Sequence, residues 1–371
     1  MQSLPTPAFV LEEEKLIRNL SILKEVQDQS GASVLAALKA FSMYEVFPVI
    51  KKYVSGSAVS SLNESKLVNE YWGEKSFTYA PAYKEDEIDE LLDNSSHIIF
   101  NSQSQYQLFR QKAIKKGVSI GLRINPEYSE VETDLYNPAG PFSRLGIKLS
   151  ELKDIPEYVE GIHLHALCEN EADVLLRLFD SIEHKIAPFL KSIKWINFGG
   201  GHLITKENYD RKSLIKFLKR IKEKYQIEVY IEPGSAVAWD TGYLQSTILD
   251  ILPHKELSGG IAIIDASFTA HMPDCLEMPY KPKIEHENTG GSFEYIIGGM
   301  SCLAGDQING FHFNEPLKIG DKVNFLDMMH YTMVKTSHFN GVAHPSICMK
   351  KANGKISILK EVGYEAYKSS L

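Results

Sequence analysis

The chain has 371 residues, of which 43% are apolar, so it is long enough for two domains with sizeable cores. Its net charge is −8 and no basic block occurs, which argues against a nucleic-acid-binding protein. The four cysteines lie far apart and form no C-x-x-C pair, so neither a structural zinc site nor a disulfide framework is expected.

The opening residues, Met1–Pro7, contain neither a basic stretch nor an apolar segment of the kind found in secretion signals. No apolar run in the chain reaches the length of a membrane-spanning helix. We therefore expect a cytoplasmic protein without a membrane partner, a nucleic-acid partner or a metal site.

Eight short runs rich in Val, Ile, Phe and Ala precede residue 235, and each is typical of a buried parallel strand. The runs are 34–40, 55–60, 77–80, 97–100, 118–125, 161–167, 195–200 and 228–234. Amphipathic helical patterns lie between them, for example at 64–72, 103–116, 171–191 and 212–224. This alternation predicts an α/β fold, a TIM (β/α)8 barrel. An open doubly wound sheet is the alternative, because periodicity does not reveal closure.

After residue 240 the pattern changes to strands separated by Gly, Asn, Asp and Pro turns. The predicted strands begin at Tyr243, Gly260, Phe293, Lys322 and Lys355. The sequence thus predicts a barrel over 12–240, which would bind the cofactor inferred below, and a mostly β domain over 241–371. The segment 1–11 contains an apolar stretch, 8–11, that is expected to add a strand to the β domain.

Functional groups in a TIM barrel gather at the C-terminal ends of its strands. Lys39 ends the first run, and its amine can form a Schiff base with pyridoxal phosphate, although a lysine at a strand end is more often ordinary. The sixth run carries His163 and His165 on one face. Imidazole can stack on a flat pyridine ring, but a lone strand histidine is about as often structural.

The seventh run ends in three successive glycines, Gly199–Gly201, whose backbone N–H groups can approach an anion closely. A glycine run alone is commonly a turn, but phosphate sites in this fold favour the loops after strands 7 and 8. The eighth run ends at Glu232, whose carboxylate can pair with a protonated pyridine nitrogen. Taken together, these strand ends favour a pyridoxal-phosphate site.

These residues, with further motifs, resemble the fold-type III (alanine racemase-like) pyridoxal-phosphate-dependent decarboxylases. That family includes the ornithine, arginine and diaminopimelate enzymes. The likeness runs over nearly the whole chain. The further motifs are Thr6–Val10, Phe142–Ile147, Gly298–Asp306, Asp327–Thr332 and Ser337–Gly341.

The resemblance implies a role for each matching residue. Lys39 would hold the cofactor covalently and act in catalysis. The cofactor-binding residues would be Lys39, Arg144, His165, Gly199, Gly200, Gly201, Glu232 and Tyr331.

The resemblance also implies a homodimer with shared active sites, because Cys302 and Asp306 would reach into the site of a partner subunit. Cys302 is then a candidate catalytic proton donor. Alternatively, Cys302 is a small buried residue without a catalytic role, as most free cysteines are.

Two departures from the ornithine and diaminopimelate enzymes narrow the expected substrate. Ser235 replaces an arginine near the phosphate, and Leu303 replaces an acid that contacts substrate. The resemblance therefore implies a polyamine-pathway decarboxylase. Its substrate would be a cationic α-amino acid whose tail contains a secondary amine and ends in a primary amine. Such a tail requires carboxylates, and the candidates are Asp274, Glu277 and Asp306.

Ala238 is a further candidate for substrate contact. If the eighth strand continues past Ser235, Glu232 and Ala238 share a face by the two-residue period of a strand. A small side chain there would let the substrate approach the backbone.

Three alternative functions remain open at this point. A decarboxylase of diaminopimelate, ornithine or arginine is the nearest, and a racemase is the next. A non-enzymatic pyridoxal-phosphate carrier is the third. Small carriers with this barrel lack a β domain, so the residues after 240 count against it.

Overall fold

The structure is a computed structural model, and it describes residues 4–371. These residues form two compact units. One unit comprises the described residues up to Ile17 together with Ala238–Leu371, and the other is Arg18–Val237. The fold class predicted from the sequence, a TIM barrel with a C-terminal mostly β domain, is confirmed.

Strand β1 (Ala8–Glu12) belongs to the first unit. The strands of Arg18–Val237 are β2 (Ser33–Ala37), β3 (Gly56–Val59), β4 (Ser76–Tyr79), β5 (Ser95–Phe100), β6 (Ser119–Asn125), β7 (Ile147–Lys148), β8 (Val159–His163), β9 (Trp195–Asn197) and β10 (Glu228–Ile231). Apart from the short β7, each strand pairs in parallel with the next, and β10 pairs with β2. The sheet is therefore closed, which excludes the open-sheet alternative.

The helices are α1 (Glu13–Ser30), α2 (Phe47–Ile50), α3 (Leu62–Tyr71), α4 (Ile88–Asp93), α5 (Gln103–Lys115), α6 (Ala172–Leu190), α7 (Arg211–Tyr225), α8 (Ser235–Ala238), α9 (Phe268–His271), α10 (Asp274–Glu277), α11 (Thr332–Lys335) and α12 (Tyr364–Ser369). Four helices, α3, α5, α6 and α7, follow the amphipathic patterns given from the sequence, and the others were not predicted. Side-chain caps begin several of the helices: Ser61 accepts from the Glu64 N–H, and Asp210 from the Ser213 N–H.

The interior of the barrel is filled by aromatic and aliphatic side chains around Trp195. Its indole lies against two glycines: a Cβ on Gly121 would lie 2.3 Å from the ring and one on Gly161 2.0 Å. The indole N–H donates to Ser119 Oγ at 2.9 Å, so its polar atom is satisfied. The barrel is thus a packed core, and only its rim is free to build a site.

The strands of the other unit, besides β1, are β11 (Gly242–Leu252), β12 (Gly260–Ile264), β13 (Phe293–Gly298), β14 (Gln307–Phe313), β15 (Lys322–Leu326), β16 (Ser346–Lys350) and β17 (Ile356–Lys360). The sheet order is β14-β13-β12-β11-β1-β16-β17, and β15 also pairs with β11. Strand β1 lies between β11 and β16, antiparallel to the first and parallel to the second. Two of these strands, β14 and β16, are absent from the sequence prediction.

The assumption that the eighth strand continues past Ser235, which made Ala238 a candidate for substrate contact, is wrong. Strand β10 ends at Ile231, and Ser235–Ala238 forms a helical turn instead of a continued strand. Pro233 lacks the N–H that a strand interior needs, so the ladder stops there. Ala238 is fully buried, and the two-residue period gives it no relation to Glu232.

Among the described residues, no helix combines the length and the apolar character that crossing a bilayer requires.

Candidate active site

The C-terminal rim of the barrel brings together the residues that the sequence selected at the strand ends. Lys39 follows β2, His165 follows β8, and Glu232 follows β10. The glycine run Gly199–Gly201 follows β9. Parallel strands end at the same rim of a barrel, which is why residues far apart in sequence converge here.

The side chain of Lys39 is accessible to solvent, although protein surrounds it closely, as in a concave site. Withdrawal from bulk water lowers the pKa of its amine, and the negative charge of Glu232 opposes that shift. A lowered pKa leaves more of the amine uncharged, which is the form that attacks an aldehyde.

Glu232 is a buried carboxylate held by two polar side chains. Asn197 Nδ2 donates to its Oε1 at 2.7 Å, and His163 Nε2 lies 3.5 Å from its Oε2. Burial raises the pKa of Glu232, but His163, Lys39 and Asn197 outweigh it and lower the pKa below its usual value. The carboxylate is therefore kept ionised and aimed by Asn197.

His165 is held in one tautomer by the glycine run. The Gly200 N–H donates to His165 Nδ1 at 3.0 Å, so a neutral ring carries its proton on Nε2. Burial lowers the pKa of His165 well below its usual value, and the positive charges of Lys39 and Arg123 add to this. The ring is thus neutral at pH 7.

The donor atoms of His163, His165 and Glu232 all lie within 4.8 Å of one another, a grouping found in metal sites. The contact from Gly200 argues against that use, because it leaves His165 Nε2 with a proton instead of a lone pair. A neutral, fixed ring suits stacking against a planar ligand better.

The glycine run is required by close contacts. Gly199 and Gly201 have φ angles of +67° and +85°, and a Cβ on Gly201 would lie 2.3 Å from the Leu167 carbonyl oxygen. Two of its N–H groups have partners inside the rim: Gly199 donates to Asn197 Oδ1 at 2.8 Å, and Gly200 to His165. The N–H groups of Gly199 and Gly200 therefore fix the neighbouring side chains.

Arg144 lies in an exposed loop that is anchored to the rim through Asn101. Asn101 Nδ2 donates to the Arg144 carbonyl at 2.9 Å, and its Oδ1 accepts from the Gly146 N–H at 2.7 Å and from Tyr79 Oη at 2.8 Å. Arg123 lies over the Tyr79 ring at 4.6 Å and donates to the His165 carbonyl at 2.9 Å. The loop carrying Arg144 is thus tied to the residues that position His165.

Asp274 and Glu277 belong to the other unit, and the structure brings them together on one lysine. The Lys335 ammonium bonds to Asp274 and lies 2.6 Å from Glu277 Oε2. Tyr331, whose φ is +47°, directly precedes α11, and Lys335 is the last residue of that helix. The two acids are thus neighbours, but each already has a cationic partner.

The carboxylate of Asp306 is buried within the unit that contains Ala238–Leu371. It is 3% exposed and accepts from the Thr269 and Ser301 N–H groups at 3.0 and 3.1 Å. Cys302, in the same loop, is exposed, and its N–H donates to Asn340 Oδ1 at 2.7 Å. Asp306 therefore shapes the loop that presents Cys302.

Sequence reasoning gave no role to four residues of this site: Tyr79, Asn101, Arg123 and Asn197. Asn197 directly precedes Phe198 and the glycine run, so a polar residue ending an apolar strand was the available signal. Arg123 offered the same signal, as the one charged residue within the run 118–125. The positioning roles of Tyr79 and Asn101 depend on pairing across strands, which the sequence does not reveal.

No family model matches the chain. It is 42% identical to the carboxyaminopropylagmatine decarboxylase of Synechocystis sp., over all of this chain and 96% of that relative. It is 40% identical to the carboxynorspermidine/carboxyspermidine decarboxylase of Campylobacter jejuni, over 99% of this chain and 98% of the relative. The crystal structure of a Campylobacter jejuni carboxynorspermidine decarboxylase complexed with norspermidine superposes with a TM-score of 0.92 at 38% identity, over all of both chains. A Helicobacter pylori diaminopimelate decarboxylase, 16% identical with a TM-score of 0.85, shares the fold.

Proposed function

Because the chain belongs to the carboxynorspermidine/carboxyspermidine decarboxylase family, we propose that it decarboxylates carboxyspermidine or carboxynorspermidine to spermidine or norspermidine. The enzyme class, a carboxy-lyase, follows from full-length identities of 36–42% to curated decarboxylases. The convergence of Lys39, His165 and Glu232 at one rim is the structural observation that supports the chemistry.

The cofactor of this proposal is pyridoxal phosphate, and the rim residues fit it. An accessible amine with a lowered pKa, a neutral imidazole and an ionised buried carboxylate lie at the same rim of the barrel. His163 Nε2 lies 3.5 Å from Glu232 Oε2, and its Nδ1 is buried without a hydrogen-bonding partner among the described residues, so Nδ1 remains available for a polar contact. When bound, this cofactor supplies the electron sink for the carbon that loses its carboxyl group.

Each rim residue has a distinct task in this proposal. Lys39 attaches the cofactor, and His165 packs on one face of its ring. Glu232 holds a proton on the pyridine nitrogen through its negative charge, because Asn197 fixes the direction of the carboxylate. The glycine run Gly199, Gly200 and Gly201 would hold the phosphate group together with Tyr331, with the Gly201 N–H as the donor, since those of Gly199 and Gly200 bond to Asn197 and His165. Arg144 would lie at the cofactor edge.

The residues proposed to bind and protonate the substrate belong to the unit that contains Ala238–Leu371. Asp274 binds an amine of the substrate tail, with Glu277 as a further acid. Asp306, predicted from the sequence as a third acid, is buried and accepts two backbone N–H groups, so it is not part of this proposal. Cys302 donates the proton that replaces the carboxyl group, and it does so in the site of a partner subunit. Two observations support that assignment: Cys302 is exposed, and Met300 and Leu303 beside it are 53% and 47% exposed. The functional unit is then a homodimer.

A second substrate is favoured by one comparison. The relative at 42% identity is named for carboxyaminopropylagmatine, whose tail ends in a guanidinium group instead of an ammonium. Two adjacent carboxylates, such as Asp274 and Glu277, also suit a guanidinium.

The test is to incubate the purified protein with the carboxylated forms of spermidine, norspermidine and aminopropylagmatine, and to follow carbon dioxide and the amine products by mass. We expect one of the first two to be the preferred substrate, and diaminopimelate and lysine to be poor ones. Racemisation without carbon dioxide would identify a racemase. Cofactor binding without turnover of any substrate would identify a carrier. Preference for the guanidinium substrate would select the second candidate.

A further inference from the structure

A lysine of the chain occupies the two acids proposed for the substrate tail. The Lys335 ammonium bonds to Asp274 and to Glu277, and these three residues are named here the Lys335 cluster. The side chain of Asp274 is 18% exposed, that of Lys335 33% and that of Glu277 48%. The pair with Asp274 is therefore the better shielded from water.

The Lys335 cluster retains a negative charge after this pairing. Burial lowers the pKa of Lys335, but its bonds to Asp274 and Glu277 raise it further, so the lysine stays charged at neutral pH. The formal charges of the three side chains are two carboxylates and one ammonium.

The position of the Lys335 cluster in the chain connects it to the proposed cofactor site. The Lys335 N–H donates to the Tyr331 carbonyl at 2.9 Å, so the two residues belong to one helical turn. Tyr331 is proposed to bind the cofactor phosphate. In the proposed function, the residue that binds the phosphate and the lysine that occupies the two acids are therefore one helical turn apart.

Lys335 offers the two acids the same group that the substrate tail offers, which is a primary ammonium on a flexible alkyl chain. We propose that Lys335 is a specificity-determining residue that competes with the terminal ammonium of the substrate tail for Asp274 and Glu277. This inference rests on the proposed function, in which Asp274 binds the tail.

The competition has a consequence for turnover. A tail ammonium that displaces Lys335 exchanges one ion pair for another, so binding gains little electrostatic free energy and depends weakly on salt. The amine product keeps the cations of its tail. Lys335 then returns to Asp274 as the product leaves, which keeps product affinity low.

The test is Lys335→Met, which keeps the length of the side chain and removes its charge. We expect the Michaelis constant for the preferred substrate, and the inhibition constant of its amine product, to fall about fivefold, the effect of one partly exposed ion pair. The Michaelis constant of the variant should also rise more steeply with salt than that of the wild type. Asp274→Asn should act in the opposite direction and raise the Michaelis constant.

Two matched variants separate this role from a structural one. Lys335→Arg retains the charge and should show no fall in either constant. Lys281→Met removes a lysine of similar exposure, 34%, that pairs with Glu287 in the same unit, and it should also show no fall. If Lys335→Met does not fold, Lys335→Gln replaces it, since glutamine is neutral and tolerates solvent.

An unchanged or higher Michaelis constant in a folded, neutral Lys335 variant would overturn the inference and leave Lys335 as a structural ion-pair partner. That result differs from failure of the proposed function, in which the wild type would turn over none of the polyamine precursors.

Discussion

At the scale of single residues, the surroundings of Lys39 in the fold change the pKa of its amine, which its position in the sequence does not reveal. The amine is accessible, yet surrounding protein lowers its pKa, while Glu232 limits that shift. Glu232 is in turn kept ionised by neighbours that outweigh the effect of its own burial. The pKa values of both groups are thus perturbed by burial and by each other's charge, which is the pattern expected of a functional site.

Lys39→Ala should abolish the covalent attachment of pyridoxal phosphate, because the variant lacks the amine that is proposed to form the Schiff base. The purified wild type should absorb visible light and retain cofactor after borohydride treatment, whereas the variant should lose both properties and essentially all turnover. Lys52→Ala, at an exposed lysine of the same unit, is the control. Covalent trapping of cofactor by Lys39→Ala protein would assign the attachment to another residue.

At the scale of elements, glycines determine how closely strands approach Trp195 and how the loop after β9 turns. Gly161 lies in β8 and Gly121 in β6, and both face the indole inside the barrel. The alternation of side chains along a strand directs these positions inward, and only a residue without Cβ leaves room for the ring.

Gly161→Ala should destabilise the barrel by about 1–3 kcal/mol or more, because its new Cβ would lie 2.0 Å from the Trp195 ring. Urea unfolding measures the change in the free energy of unfolding. Gly363→Ala is the matched control, since no atom lies within 4 Å of the Cβ that it would add. Equal stability of the two variants would mean that Trp195 has space to move.

At the scale of the whole molecule, several buried histidines couple stability to pH. Burial lowers the pKa of His97 and His202 to about 4 and that of His271 to about 3. In the unfolded chain a histidine titrates near pH 6.5. Between these values the unfolded state binds more protons than the folded state, so stability is full above about pH 6.5 and is lost as the pH falls.

We expect the free energy of unfolding to decrease from pH 7 to pH 4, by up to about 1.4 kcal/mol per pH unit for each such histidine. Urea unfolding at a series of pH values measures the slope. His97→Gln should reduce the slope by about one proton. A flat pH profile in the wild type would contradict the expected neutrality of these residues.

The proposed homodimer predicts complementation between two inactive proteins. Mixing Lys39→Ala protein with Cys302→Ala protein should restore roughly a quarter of wild-type activity after random exchange, because each mixed dimer contains one site with both native residues. Activity is followed by release of carbon dioxide, and exchange is verified by mass spectrometry of tagged subunits. Absence of recovery despite verified exchange would mean that each subunit builds its own site.

The sequence by itself determined the alternation of strands and helices and the strand ends that carry Lys39, His165 and Glu232, whereas closure of the barrel was left open and the reaction class depended on resemblance. Buried parallel strands are continuous apolar runs, and the residue after each run necessarily lies at the rim, so local pattern is sufficient for these predictions. The expectation of a polyamine-pathway decarboxylase, which depended on resemblance, is confirmed by the curated relatives.

Only the tertiary structure decided which groups hold these residues. Asn197 aims Glu232, Gly200 sets the tautomer of His165, and Lys335 occupies both Asp274 and Glu277. The sequence pattern did not predict β14, because Gly310, at φ +81°, interrupts the alternation of side chains in that strand. The predicted end of the eighth strand, residue 234, lies beyond the last residue of β10, Ile231. Hydrogen bonds and ion pairs between distant residues depend on the register and closure of the sheet, and no local pattern of the sequence contains that information.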